Sequence, residues 1–163
     1  IRRYHYIVDM FRDLCPAHSL TTDMIVGFPT ETDEEFEDTL RLTERVRYDQ
    51  QFMFMYSPRR GTVAADRMTN DVPLAVKKER LQRLIALQEE ISAGKNAAEV
   101  GTEHEVLVEG RSRRGDLMMG RTRTDKAVIF PGGEELVGQL IKVRITQGLA
   151  HSLKGEMLVE AAV

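Results

Sequence analysis

The sequence predicts an α/β unit over residues 1–97, followed by a small all-β barrel of the OB type over residues 98–163. Three features carry this expectation. Residues 3–56 alternate helix, strand, helix and strand, the order from which parallel sheets and α/β barrels are built. Within that alternation, Thr22-Asp23-Met24-Ile25-Val26-Gly27-Phe28-Pro29-Thr30-Glu31-Thr32 is an apolar strand, an abrupt Gly-x-Pro turn and the opening of a helix. Chains that hold a ligand at the C-terminal end of a parallel strand have this form. After Gly101 the period changes, and five short apolar runs separated by turn residues fit within ~60 residues, the density of a small closed barrel.

Each element has a local reason. Tyr4, Val8, Phe11 and Cys15 recur at helical spacing, with Ile7 and Leu14 beside them. Residues 3–15 are therefore expected as an amphipathic helix that Pro16 ends. Leu20 to Val26 is a short strand. Thr32 and Glu35 form a capping-box pair, and Asp33 and Glu34 favour a helix N-terminus. That helix is expected to run to about Arg47, with Phe36, Leu40, Thr43 and Val46 inward. Phe52 to Tyr56 is apolar on both faces, which predicts a central strand. Ser57-Pro58-Arg59-Arg60-Gly61-Thr62 is the loop at its end, and residues 63–72 read as an extended connection. Val72-Pro73 opens a long helix to about Asn96, with Leu74, Leu81, Leu84, Ile85, Gln88 and Ile91 on one side and charged residues on the other. The barrel strands are expected at 105–110, 117–123, 127–130, 136–146 and 152–160. There is no internal repeat. Two strands do not make a stable parallel sheet alone, and Ile1-Arg2-Arg3-Tyr4 opens inside a helix without an initiator Met. Both features predict a piece of a longer protein.

Composition narrows the function classes. Of 163 residues, 42% are hydrophobic and 30% charged, enough for one ordinary domain or two small ones. The single cysteine, Cys15, excludes an internal disulfide framework and an all-cysteine metal site, and suits the cytoplasm. No apolar run approaches the ~20 residues of a membrane span. The net charge of −3 gives no overall basic footprint. Local clustering is more informative: Arg111, Arg113, Arg114, Arg121, Arg123 and Lys126 fall close together around the first barrel connections. Arginines there can neutralise phosphates while a barrel face accepts bases, and Arg121 and Arg123, separated by Thr122, share one side of their strand. An ordinary charged surface is the competing reading.

Two strand-end loops are candidate binding positions. Asp23, Ile25 and Gly27 have the same parity along their strand, and a glycine removes the side chain where a planar ring would approach closest. A plain βα turn explains the same residues. Arg59 and Arg60 could meet phosphate or a carboxylate, or be solvated loop residues. His5, His18, His104 and His151 have no metal-ligand spacing.

These residues resemble a known family. Asp23-Met24-Ile25-Val26-Gly27-Phe28-Pro29 with Glu31-Thr32 and Glu34-Glu35-Phe36, then Phe52-x-Phe54-x-Tyr56-Ser57-Pro58-Arg59-x-Gly61-Thr62, are similar to the radical S-adenosylmethionine methylthiotransferases. Lys77-Lys78-Glu79-Arg80-Leu81 continues the match. Val106 to Gly110, Gly120-Arg121-Thr122, Val128 to Phe130 and Ser152-Leu153-Lys154-Gly155-Glu156 resemble that family's TRAM domain. The family has glycine where this chain has Thr30.

The resemblance implies the last βα units of a partial TIM-type barrel, then TRAM, in a monomeric cytoplasmic enzyme. It implies addition of a methylthio group to C2 of N6-isopentenyladenosine next to the tRNA anticodon. The cofactors implied are S-adenosylmethionine and two 4Fe-4S clusters, and the partner is the tRNA anticodon stem-loop. Asp23, Ile25, Gly27 and Tyr56 are the implied cofactor contacts. The cysteine sets for both clusters are absent from these residues, so no catalytic or metal residue is assigned and the chain alone is expected to be inactive. A sister enzyme acting on a ribosomal protein, and a non-catalytic RNA-binding module, are the alternatives.

Overall fold

The computed structural model describes residues 1–16, 18–113, 115 and 117–158. The chain divides into two compact units, one of residues 1–16 and 20–91, the other of residues 17–19 and 92–163.

The first unit begins with helix α1 (Arg2–Leu14), strand β1 (Thr21–Val26), helix α2 (Asp33–Val46) and strand β2 (Gln50–Met55). The Thr32 hydroxyl accepts from the Glu35 amide at 3.2 Å, and the Glu35 carboxylate accepts from the Thr32 amide at 2.9 Å. The capping box is thus formed, and Arg47 ends α2 in the left-handed conformation. Phe36, Thr43 and Val46 are buried as their spacing requires, with Leu40 packed beside them.

β1 and β2 are parallel neighbours in a two-stranded sheet. One face carries Met24, Val26, Met53 and Met55 into a core with Phe36, Leu40, Leu81 and Leu84. A second cluster joins Val8 of α1 to Val46 and Tyr48, and the Tyr4 and Tyr48 hydroxyls meet at 2.7 Å.

Two expectations for this unit are corrected. Residues 63–72 are not wholly extended, because Val63–Arg67 forms a short helix, α3, whose N-cap Thr62 accepts from the Ala65 amide at 3.3 Å. The long helix α4 (Leu74–Ala97) buries Leu84, Gln88 and Ile91 as expected, but Lys77 and Arg80 join that face and Leu74 leaves it. Leu74 is 60% exposed, whereas Lys77, Arg80, Leu84, Gln88 and Ile91 are buried. These five recur at spacings of three and four, so they form one helical face despite two charges.

The second unit is a closed five-stranded barrel in the order β3-β4-β5-β7-β6. Its strands are β3 (Glu103–Arg111), β4 (Met118–Thr122), β5 (Ala127–Phe130), β6 (Leu140–Gly148) and β7 (Leu153–Met157). All neighbours are antiparallel except β5 and β7. Alternate residues point inward, and Val106, Val108, Met118, Val128, Phe130, Val143, Ile145 and Leu153 fill the interior. At Gly120 a side chain would stand 2.6 Å from Cγ1 of Val106, so only glycine lets β4 approach β3 there. The expected strand 136–146 is shorter at its start. Glu134–Leu136 is a 3-10 turn, and pairing begins at Leu140. The expectation of strand through Glu160 runs beyond the described residues. No helix among the described residues is long and apolar enough to cross a membrane.

Candidate cofactor wall and nucleic-acid interface

The register of the parallel pair sets Asp23 opposite Phe52 and Ile25 opposite Phe54. The Tyr56 amide then donates to the Val26 carbonyl at 2.8 Å, so both strands end together. Asp23 and Ile25 share the face opposite the methionine-lined core, and Phe52 and Phe54 continue it. That face is open: Ile25, Phe52 and Phe54 are each about half exposed, at 54%, 51% and 53%. A contiguous apolar surface with one carboxylate beside it fits a planar, nitrogen-rich ring. Phe28 and Tyr56 stand at the end of this face with ring centroids 5.0 Å apart, edge to face. Arg59 and Arg60 follow on an exposed loop.

Gly27 has a different surrounding from the one its parity suggested. Its φ of +68° takes it out of the strand's alternation, and it is buried. A Cβ there would overlap Cγ of Lys77 and stand 2.9 Å from its Cδ. The space left by the missing side chain is therefore filled by Lys77, not open to a ligand. The Lys77 ammonium donates to Oδ1 of Asn70 at 2.5 Å and to the Tyr56 carbonyl at 3.4 Å, and lies 5.0 Å from the centre of the Tyr56 ring.

The turn after Gly27 is fastened as well. Oε2 of Glu31 accepts from the Gly27 amide at 2.6 Å and from Nη1 of Arg80 at 2.6 Å. Nη2 of Arg80 reaches Oδ1 of Asp33 at 2.6 Å. Burial works against the Arg80 charge, but the bonds to Asp33 and Glu31 outweigh it and raise its pKa. Thr30 sits at φ +73°, a conformation in which a β-branched residue is an outlier, and its amide donates to Asp71 at 2.8 Å. The wall thus depends on Lys77 and Arg80, which the sequence reading placed on the solvent side. Their spacing with Leu84, Gln88 and Ile91 was the available signal.

Among the described residues there is no group of three or more His, Cys, Asp or Glu side chains that could hold a metal ion. These residues therefore do not fit an iron–sulfur cluster, while the open face fits the adenine part of a nucleoside cofactor.

In the barrel, Thr122 is buried, which turns Arg121 and Arg123 to the outer side of β4 and its turn. Arg121 reaches Oδ1 of Asp125 at 3.1 Å and Oε2 of Glu109 at 3.5 Å. Arg111 bonds Oε1 of Glu134 at 2.7 Å, and that bond and charge hold the Glu134 carboxyl below its usual range. Arg113 and Arg123 are exposed and make no ion pair among the described residues. Arg114 lies outside the described residues. Lys126 does not join this surface, because its ammonium stands 2.8 Å from Oε1 of Glu99 and 3.3 Å from Oδ1 of Asn96. Asn96 in turn donates to the Leu149 carbonyl at 2.7 Å, so Lys126 serves the joint between the end of α4 and the barrel.

Comparison with known proteins agrees with both halves. Residues 97–158 match the model of the TRAM domain. Three relatives share the name tRNA-2-methylthio-N(6)-dimethylallyladenosine synthase. That of Moorella thermoacetica is 55% identical over 96% of this chain and 36% of its own length. That of Bacillus subtilis is 50% identical over 98% of this chain and 31% of its own, and that of Carboxydothermus hydrogenoformans is 49% identical over 95% and 35%. The chain spans about a third of the length of these curated relatives. Nearly the whole chain is thus similar to about a third of the tRNA-2-methylthio-N(6)-dimethylallyladenosine synthases, and its residues 97–158 match the TRAM domain.

Proposed function

We propose that this chain is part of an enzyme that adds a methylthio group to C2 of N6-isopentenyladenosine next to the tRNA anticodon. Residues 1–97 complete an α/β barrel of the TIM type and residues 98–163 bind tRNA. The observation that carries this reading is the identity of 49–55% with tRNA methylthiotransferases along nearly all of the chain.

Two features of the first unit support a partial barrel. Its parallel sheet has helices on one face and an open apolar face on the other, the arrangement of a barrel segment whose inner side awaits the remaining strands. α1 also exposes Tyr6, Met10 and Leu14, one per helical turn, a stripe suited to a neighbouring element.

In the whole protein, S-adenosylmethionine and two 4Fe-4S clusters would supply the radical and sulfur-transfer chemistry. The residues here that would hold the cofactor are Asp23, Ile25 and Tyr56, on the ledge that ends at Gly27. The open face of Ile25 and Phe54 excludes water from one side of the adenine, and Asp23 supplies an acceptor for amino or hydroxyl groups. The cluster cysteines are not among these residues, so this chain alone is inactive. On the barrel, Arg113 and Arg123 are placed to neutralise phosphates of the anticodon stem-loop, with Arg111 and Arg121 exchanging carboxylate partners for phosphate.

The test uses the full-length, monomeric protein, purified without oxygen and supplied with iron and sulfide. Expected are two clusters by iron and labile-sulfide analysis, and methylthio incorporation into tRNA that carries N6-isopentenyladenosine. Incorporation into ribosomal protein alone, or a protein that assembles no cluster, overturns the reading.

A further inference from the structure

Lys77 is a buried ammonium whose described partners are all neutral. It is 3% exposed, and it meets the Asn70 amide oxygen, the Tyr56 carbonyl and the Tyr56 ring. Burying a charge without a carboxylate is unfavourable, so a lysine kept in this place calls for a reason beyond packing.

Its position supplies one. The aliphatic stem fills the space beside Gly27, at the end of β1. The ammonium holds the carbonyl of Tyr56, at the end of β2. One side chain therefore fixes the backbone of both strand ends. Glu31, held by Arg80, binds the Gly27 amide at the end of β1, but among the described residues neither of the two reaches Tyr56 or Asn70 at the end of β2 and its loop.

We infer that Lys77 is a positioning residue for the adenosyl cofactor: it joins the ends of β1 and β2 into one ledge and sets the relation of Ile25 to Tyr56 on the open face. The inference rests on the cofactor reading proposed above. Lys77 itself does not touch the ligand, being on the covered side of the ledge.

The variant K77M keeps an unbranched stem beside Gly27 and removes the ammonium. In the full-length protein, equilibrium binding of S-adenosylmethionine is expected to weaken by about fivefold to tenfold, the effect of losing a charged hydrogen bond that organises a site. Affinity for tRNA and the circular dichroism spectrum should stay as in wild type. N70A, at an exposed loop position, loosens the ammonium without disturbing the stem, and is expected to weaken cofactor binding by about twofold to threefold. It provides the measurement if K77M does not fold.

Unchanged cofactor affinity in K77M, or in N70A where K77M does not fold, overturns the inference and leaves the proposed function standing. Equal loss of cofactor and tRNA affinity also overturns it, since the damage is then general. A wild-type protein that binds no S-adenosylmethionine overturns both.

Discussion

The ammonium of Lys126 stands 2.8 Å from Oε1 of Glu99, joining the turn after β4 to the residues that follow α4. Both side chains are largely shielded, at 15% and 23% exposure. K126M removes the cation and leaves Glu99 with His104, whose Nε2 lies 2.9 Å from Oε2. The change is expected to destabilise the barrel unit by about 1–2 kcal/mol, measured as a lowered thermal midpoint of the chain.

The same pair gives a pH dependence with a definite sign. Burial would raise the Glu99 carboxyl, but the bond and charge of Lys126, with a smaller share from His104, outweigh it and hold it below its usual value. A carboxyl lowered on folding contributes stability above its unfolded pKa, near ~4.3. That contribution is lost as pH falls through the lower folded value. E99Q should therefore be less stable than wild type at neutral pH, and the two melting curves should converge as pH drops below about 4. Curves that stay parallel through acid would refute the linkage.

Arg80 and Glu31 form a well-shielded ion pair in the first unit, with side chains 4% and 12% exposed. Removing one partner leaves Arg80 with Asp33, or Glu31 with the Gly27 amide, so the cost is that of a lost charged hydrogen bond, about 1.5–3 kcal/mol. R80M and E31Q are each expected to destabilise in that range. The double variant should lose clearly less than the two losses added, as contacting residues do. Asp33, the second partner of Arg80, is 95% exposed, so D33N should cost less than about 1 kcal/mol.

Thr30 is expected to be improvable. At φ +73° it holds a left-handed conformation, which strains a β-branched residue and suits glycine, the residue the family pattern has there. T30G keeps the amide that bonds Asp71. It should raise stability by about 0.5–1 kcal/mol, the strain relieved less the added freedom of the unfolded chain. Chemical denaturation of the two proteins reads this directly.

Arg113 and Arg123 are the arginines of the cluster without an ion pair among the described residues. R113E and R123E should weaken tRNA binding and flatten its dependence on salt, each by about one unit of logarithmic slope. A slope unaltered by both arginine changes would place the RNA surface elsewhere.

Local chemistry was legible wherever one residue type does one job. The Thr32–Glu35 box, the alternation of Val106 and Val108 with outward residues, and the period of Phe36, Thr43 and Val46 all folded as their spacing implied. Tertiary contacts reversed other readings. Lys77 and Arg80 are charged, and charge was taken as a sign of solvent. Their burial follows from acceptors on Asn70, Tyr56, Glu31 and Asp33, residues that come near only once the helix crosses the strand ends. Lys126 counted as one cation among six, and a carboxylate 27 positions earlier claims it. Gly27 looked like a gap for a ligand because a sequence does not show that the gap is filled from α4. Helix α3 escaped because five residues are too few for a period, although Thr62 was a readable cap.

The barrel closes upon itself, whereas among the described residues β1 and β2 each have a strand neighbour on one side only. The two halves therefore differ in how they behave when crowded. Among the described residues of the second, every strand has a neighbour on both sides. The first presents unsatisfied amide and carbonyl groups beside Ile25, Phe52 and Phe54, and so acts as a template for its own kind. Concentrated solutions of this chain by itself are expected to self-associate through the first unit alone. Fusing a soluble partner near residue 1, or shielding the aromatic face with a nucleoside, should delay that process, while changes to the barrel surface should not.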